Sequence, residues 1–192
     1  SSSPLKINNK ESIAKNLAIY SAFTEGLQLF SSFAILLNFP RFGKMKGMGQ
    51  IVTYSIRDES LHVEAMTKLF REFMQENINL WTDDFKKEIY TVCRQMVKLE
   101  DKFLDLVFEM GDIQGLTKNE MKEYIRYIAD RRLLQLGLKT NFGVKDNPID
   151  WIDDVLGVEH QNFFEGRATT YMKGGLKGSM DAVQFKGIAV EG

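Results

Sequence analysis

The chain has 192 residues, enough for one domain with a sizeable core, and its 44% hydrophobic and 27% charged content is ordinary for a soluble globular protein. A net charge of −1 gives no electrostatic basis for binding nucleic acid or an anionic membrane surface. The single cysteine, Cys93, excludes an internal disulfide and suits a reducing cytoplasm. The opening residues, Ser1-Ser2-Ser3-Pro4-Leu5-Lys6, lack the basic-then-apolar order of a secretory signal. Prolines occur only at Pro4, Pro40 and Pro148, which leaves long stretches free to form uninterrupted helices.

The first predicted helix runs from about Glu11 to Asn38 and ends before Pro40, because the residue preceding a proline is pushed out of helical geometry. Between Lys15 and Arg41 its only charge is Glu25. A membrane span fails there on polarity, since Asn16, Ser21, Thr24, Gln28, Ser31, Ser32 and Asn38 lie within it. A helix buried inside a bundle fits better. After a Gly/Met/Lys connector over 43–49, a second helix spans about Gln50 to Gln75. Its stripe of Ser55, Glu59, His62, Met66, Leu69 and Phe73 advances by threes and fours along one face.

A third helix starts after Thr82, a plausible N-cap, with Asp83 and Asp84 in the first turn where the helix dipole favours them. Its apolar series Phe85, Ile89, Val92, Met96, Leu99, Phe103, Leu106 and Met110 reads as a packed bundle face, and Gly111 ends it. The fourth opens with the capping box Thr117-Lys118-Asn119-Glu120 and runs to about Leu136 before Gly137. A short helix is expected from Asn147, with Pro148 at its first position. From Val158 onward the chain is Gly-rich without sustained periodicity and reads as an extended tail. No strand pattern competes, so the fold class is all-α, with a domain over 1–157 and a tail over 158–192.

Glu59-Ser60-Leu61-His62 is an E-x-x-H on one predicted helix, and a spacing of three sets a carboxylate beside an imidazole. The bland alternative is an exposed Glu beside a partly buried His. Glu25 is a carboxylate with no other charge for over two helical turns on either side, so it must be protonated, paired or bound to metal. Arg57 is one structural partner for it. A Glu on one helix with an E-x-x-H on the next is similar to the half-set from which di-iron carboxylate bundles are built.

A wider likeness is carried by longer segments. Ser55-Ile56-Arg57-Asp58-Glu59-Ser60-Leu61-His62 resembles the R-D-E-x-x-H segment of the small, radical-generating subunit of class I ribonucleotide reductase. Ala22-Phe23-Thr24-Glu25-Gly26-Leu27 lies upstream of it as the second-half ligands of that family do. Arg41 to Gln50, Tyr127-Ile128-Ala129-Asp130-Arg131-Arg132, Asn147-Pro148 with Trp151, and Asn162-Phe163-Phe164-Glu165 resemble family segments too. The likeness extends from about Ile13 to Tyr171.

The resemblance implies a ferritin-like helical bundle, or its second half, in which Glu25, Glu59 and His62 are metal ligands. The implied cofactor is a di-metal centre, two irons being favoured over manganese with iron or two manganese ions. It reacts with dioxygen to build an oxidant or protein radical. Asp58, Tyr171 and Glu165 are the implied radical-transfer residues, and Asp58 has the alternative of pairing with Arg57 or His62. Leu29 and Phe33, four and eight residues after Glu25, resemble the apolar pocket around the radical, although a plain core stripe looks the same. Ser55 departs from the bulky apolar residue some members carry there, and His160 reads as structural.

Only one E-x-x-H is present, so the family's first-half ligands, its radical residue and the tryptophan of the transfer path are not placed. The expected partners are that N-terminal half, from another chain or a missing segment, a second small subunit in a homodimer, and the large subunit. Neither nucleic acid nor membrane is expected, and the location implied is cytoplasmic. Two copies pooling their ligands is a further arrangement. Two rival functions stay open: another ferritin-like di-iron oxidase or oxygenase, and a metal-free half that only assembles with a partner.

Overall fold

The computed structural model describes residues 4–156, so the expected tail over 158–192 lies outside the described residues. The elements are α1 (Pro4–Ile19), a π-helical segment (Tyr20–Thr24), α2 (Phe30–Arg41), α3 (Lys46–Glu76), a 3-10 turn (Ile78–Leu80), α4 (Asp83–Glu109), α5 (Lys118–Gln135) and α6 (Trp151–Leu156). Among the described residues there is no strand, only an isolated bridge between Ile113 and Leu116. The all-α expectation holds.

Helix α3 packs on α1 and α2, α4 packs on α5 and α1, and α5 also meets α2 and the π segment. The core between them is built from Phe23, Leu27, Phe30, Leu37, Ile56, Val63, Phe70, Phe85, Ile89 and Ile125, all buried. Fully burying each such side chain contributes roughly 1.5–3 kcal/mol. Polar clamps fix the geometry. Arg126 on α5 reaches Asp101 on α4 through two hydrogen bonds of 2.9 and 2.7 Å. Asp130 accepts from the backbone N–H groups of Asn141, Phe142 and Val144, tying down the loop after α5.

The expected helix starts are met. Thr82 accepts from the Phe85 amide at 3.1 Å. Thr117 accepts from the Glu120 amide while the Glu120 carboxylate accepts from the Thr117 amide, the reciprocal box in full. Three expectations change. The first helix is not continuous, since it passes through the π segment and a turn before α2 begins at Phe30. It also does not stop before Pro40 but runs to Arg41, because a proline in the last turn forfeits only one backbone hydrogen bond. The connector is shorter than expected, with α3 starting at Lys46 after Met45 in the left-handed region (φ 49°).

The apolar series of the third predicted helix is also not one buried face. Its buried row is Phe85, Ile89, Cys93, Val97, Glu100 and Leu104. Leu99, Phe103, Leu106 and Met110 are exposed, Met110 at 91%. The helical row that begins at Phe85 continues through Cys93 and Val97, so the series that turns off at Val92 rotates out of the core. The short helix begins at Trp151 rather than Asn147, whose side-chain oxygen instead accepts from the Ile149 amide at 3.1 Å.

Candidate metal centre

The site begins with a fault in a helix. Ser21 turns its hydroxyl back onto the Leu17 carbonyl at 2.7 Å, a bond that competes with the regular ladder. Two amides then reach five residues back, Glu25 to Tyr20 at 3.0 Å and Gln28 to Phe23 at 3.2 Å. Such π turns occur mostly within α-helices and frequently at functional sites. Gly26 is required next. A Cβ there would stand 2.5 Å from the Ala22 carbonyl oxygen and 2.7 Å from Arg132 Nε.

The distortion brings Glu25 against α3, where Glu59 and His62 lie one turn apart. One ligand atom from each of the three residues lies within 4.8 Å of the other two. His62 Nδ1 stands 3.8 Å from a Glu59 carboxylate oxygen, with the imidazole 63% and the carboxylate 25% exposed. Glu25 Oε2 is buried and has no hydrogen-bond partner among the described residues. A buried carboxylate oxygen without a donor costs roughly 1–3 kcal/mol or more, and a cation is the natural group to satisfy it. Two carboxylates and an imidazole suit iron, manganese or zinc equally, so the residues fit a metal without naming it.

The other residues singled out from the sequence fall as follows. Arg57 is exposed and makes no ion pair with Glu25, so that structural alternative is not realised. Asp58 is exposed and pairs with neither Arg57 nor His62 among the described residues. Phe33 is partly buried against the core and sits edge-on to Phe30 (centroids 5.8 Å apart), while Leu29 is 41% exposed. Spacings of four and eight from Glu25 presume a regular helix, and the π segment and the turn after it break that register. Tyr171, Glu165 and His160 lie outside the described residues.

One residue behind the site is not singled out by sequence reasoning. Arg132 on α5 is wholly buried and donates from Nε to the Gly26 carbonyl at 2.7 Å and from Nη1 to Gln135 Oε1 at 3.0 Å. Its guanidinium lies over the Phe30 ring, 5.0 Å from the centroid. Burial pushes its pKa down to about 9, with Tyr124 acting in the opposite direction. No local signal marks it, since Arg126, Asp130 and Arg131 lie within the same few turns of sequence.

A helical bundle here sets a glutamate on a π-distorted helix beside an E-x-x-H on the next, a donor set of the kind found in di-metal carboxylate proteins. The family model for the ribonucleotide reductase small chain matches residues 3–148, and the chain belongs to that family. It is 45% identical over 170 residues to a probable ribonucleoside-diphosphate reductase small subunit of Invertebrate iridescent virus 3, covering 88% of this chain and 45% of the relative. It is 35% identical over 162 residues to a ribonucleoside-diphosphate reductase subunit beta of Chlamydia pneumoniae, covering 84% and 46%.

Among solved structures, a putative class I ribonucleotide reductase from Bacillus halodurans matches with a TM-score of 0.68 at 33% identity, covering 72% of this chain and 49% of that one. The ribonucleotide reductase R2 subunit from Clostridium botulinum matches with a TM-score of 0.69 at 27% identity, covering 73% and 44%. These neighbours share a ferritin-like helical fold, so the fold expected from the sequence stands. The chain spans about half the length of the curated relatives it matches. No helix among the described residues is long and apolar enough to cross a membrane.

Proposed function

We propose that this chain is the C-terminal half of a class I ribonucleotide reductase small subunit, with Glu25, Glu59 and His62 as half the ligand set of its di-metal centre. The observation that carries the reading is the convergence of those three side chains within 4.8 Å, with Glu25 Oε2 buried and unpartnered, in a chain of this family. The other half-set belongs to the N-terminal half of the subunit, which lies on a separate chain or a segment outside these 192 residues. Residues 1–157 form the second half of the bundle domain, and 158–192 the extended tail that docks on the large subunit.

When bound, the metal pair supplies the one-electron oxidising power for the radical that drives reduction of ribonucleoside diphosphates to deoxyribonucleotides. Iron in both positions is favoured, with manganese and iron or two manganese ions accepted by the same donors. The protein's own part is positional. Glu25, Glu59 and His62 hold the ion, and Leu29 and Phe33 help exclude water once the first half covers them. Asp58, Glu165 and Tyr171 form this chain's share of the radical-transfer path to the large subunit. The small subunit works as a homodimer. No nucleic acid or membrane takes part, and the location is cytoplasmic.

Mass spectrometry and metal analysis of the native protein test the reading. It expects a second half-set of ligands, from the same or another polypeptide, and about two metal ions per complete set of four carboxylates and two histidines. Native protein that carries the full set yet takes up no iron or manganese, or whose uptake is unaffected by Glu25→Ala, overturns it.

A further inference from the structure

We propose that Arg132 is a positioning residue for the Glu25 carboxylate, fixing the π-distorted turn that aims Glu25 at Glu59 and His62. The inference rests on the reading of Glu25 as a metal ligand. Its starting point is a carbonyl displaced from its helical role. In a regular α-helix the Gly26 carbonyl would accept from the amide of Phe30, but that amide bonds to Leu27 at 3.1 Å. The Gly26 carbonyl instead accepts from Arg132 Nε at 2.7 Å, across 106 residues of sequence.

The guanidinium is placed as a brace. Nη1 is held by Gln135 one turn further along α5, and the plane lies over Phe30, the first residue of α2. One side chain on α5 therefore touches both Gly26, directly after Glu25, and Phe30, where the regular helix resumes. A charge buried this completely is costly to desolvate, and two aimed hydrogen bonds, from Nε and Nη1, set its position. The missing side chain at Gly26 belongs to the same device, because any Cβ would fall 2.7 Å from Arg132 Nε. A turn that five-residue bonds alone would leave soft is thereby held in one arrangement, with the carboxylate direction set before any ion arrives.

The test uses the intact native protein, stripped of metal and titrated with Co2+, read by calorimetry and by the visible ligand-field bands of the bound ion. Arg132→Met is expected to weaken Co2+ binding on the order of ten- to a hundredfold and to shift the bands, as loss of a supporting residue behind a ligand does. Arg132→Lys, which keeps one donor for Gly26 but loses the fork, should fall between. Phe85→Ala, a core truncation beside Trp81, should lower stability without moving the bands.

Wild-type affinity and bands in Arg132→Met overturn the proposal, and so does a loss that Phe85→Ala reproduces in full. Should Arg132→Met not fold by circular dichroism, Arg132→Lys decides on the same two readouts. Glu25→Ala separates the two layers. If it leaves Co2+ binding intact, the ligand reading itself fails. If it abolishes binding while the Arg132 variants do not, only the bracing role fails.

Discussion

The Ser31 hydroxyl on α2 donates to a carboxylate oxygen of Glu100 on α4, a buried hydrogen bond between two residues 69 positions apart. It links α4 to the helix that resumes five residues after Glu25. Burial pushes the Glu100 carboxyl up to about 7, with the Ser31 bond opposing and Asp101 reinforcing the shift.

A pH dependence of stability follows from that pair. The folded carboxyl holds its proton to higher pH than the unfolded one, so its contribution is full below the ordinary value of 4.5 and is lost as pH rises to about 7. Glu100→Gln keeps a polar group for Ser31 but cannot ionise. Wild-type protein should therefore lose melting temperature relative to Glu100→Gln between about pH 5 and 7, with the gap constant beyond about pH 8. Parallel pH profiles for the two proteins would show that Glu100 is not shifted.

The α5 capping box gives a second expectation. Thr117 and Glu120 satisfy each other's backbone amides at 3.2 and 2.9 Å. Thr117→Ala should destabilise the protein by about 1 kcal/mol, and Thr117→Ser should restore most of the loss. Urea unfolding monitored by circular dichroism measures both.

What the sequence made legible follows the range of the interactions. Thr82, Thr117 and Gly111 mark helix ends through neighbours a few residues away, and those ends are where they were expected. The E-x-x-H pair is equally local, since three residues of helix suffice to set Glu59 beside His62. The π turn is not local in this sense. Nothing in the residue types of Tyr20 to Thr24 demands a five-residue bond, and Pro40 suggests an earlier stop than the helix makes. The outward rotation of Leu99, Phe103 and Leu106 is set by which row α5 covers, a tertiary choice that periodicity does not contain. Arg132 is hidden for the same reason, because its partner Gly26 is separated from it by most of the chain.

The crossing of α2 and α3 turns on Gly49. A Cβ there would lie 2.5 Å from Pro40 Cγ, so the two helices approach through the missing side chain. Alanine favours a helix interior over glycine by up to about 1 kcal/mol, but here it meets a rigid pyrrolidine ring. Gly49→Ala should destabilise by about 1–3 kcal/mol. The same substitution made together with Pro40→Ala should be close to neutral. Additive losses in that double-mutant cycle would show that the contact does not set the crossing.

The last expectation concerns the cost of keeping a ligand ready. Glu25 Oε2 is buried without a donor, so the metal-free protein carries an unmet polar group beside an apolar core. Glu25→Met has nearly the same length and no such group. It should leave the metal-free protein as stable as wild type or more so, by about 1 kcal/mol. The same variant should lose the rise in melting temperature that Fe2+ or Mn2+ gives the wild type, because a ligand for the folded state adds stability only where it binds. The two effects have opposite sign, so melts with and without metal separate them in one experiment. A carboxylate that served packing alone would instead cost stability when replaced, and the variant would melt earlier with or without the ion.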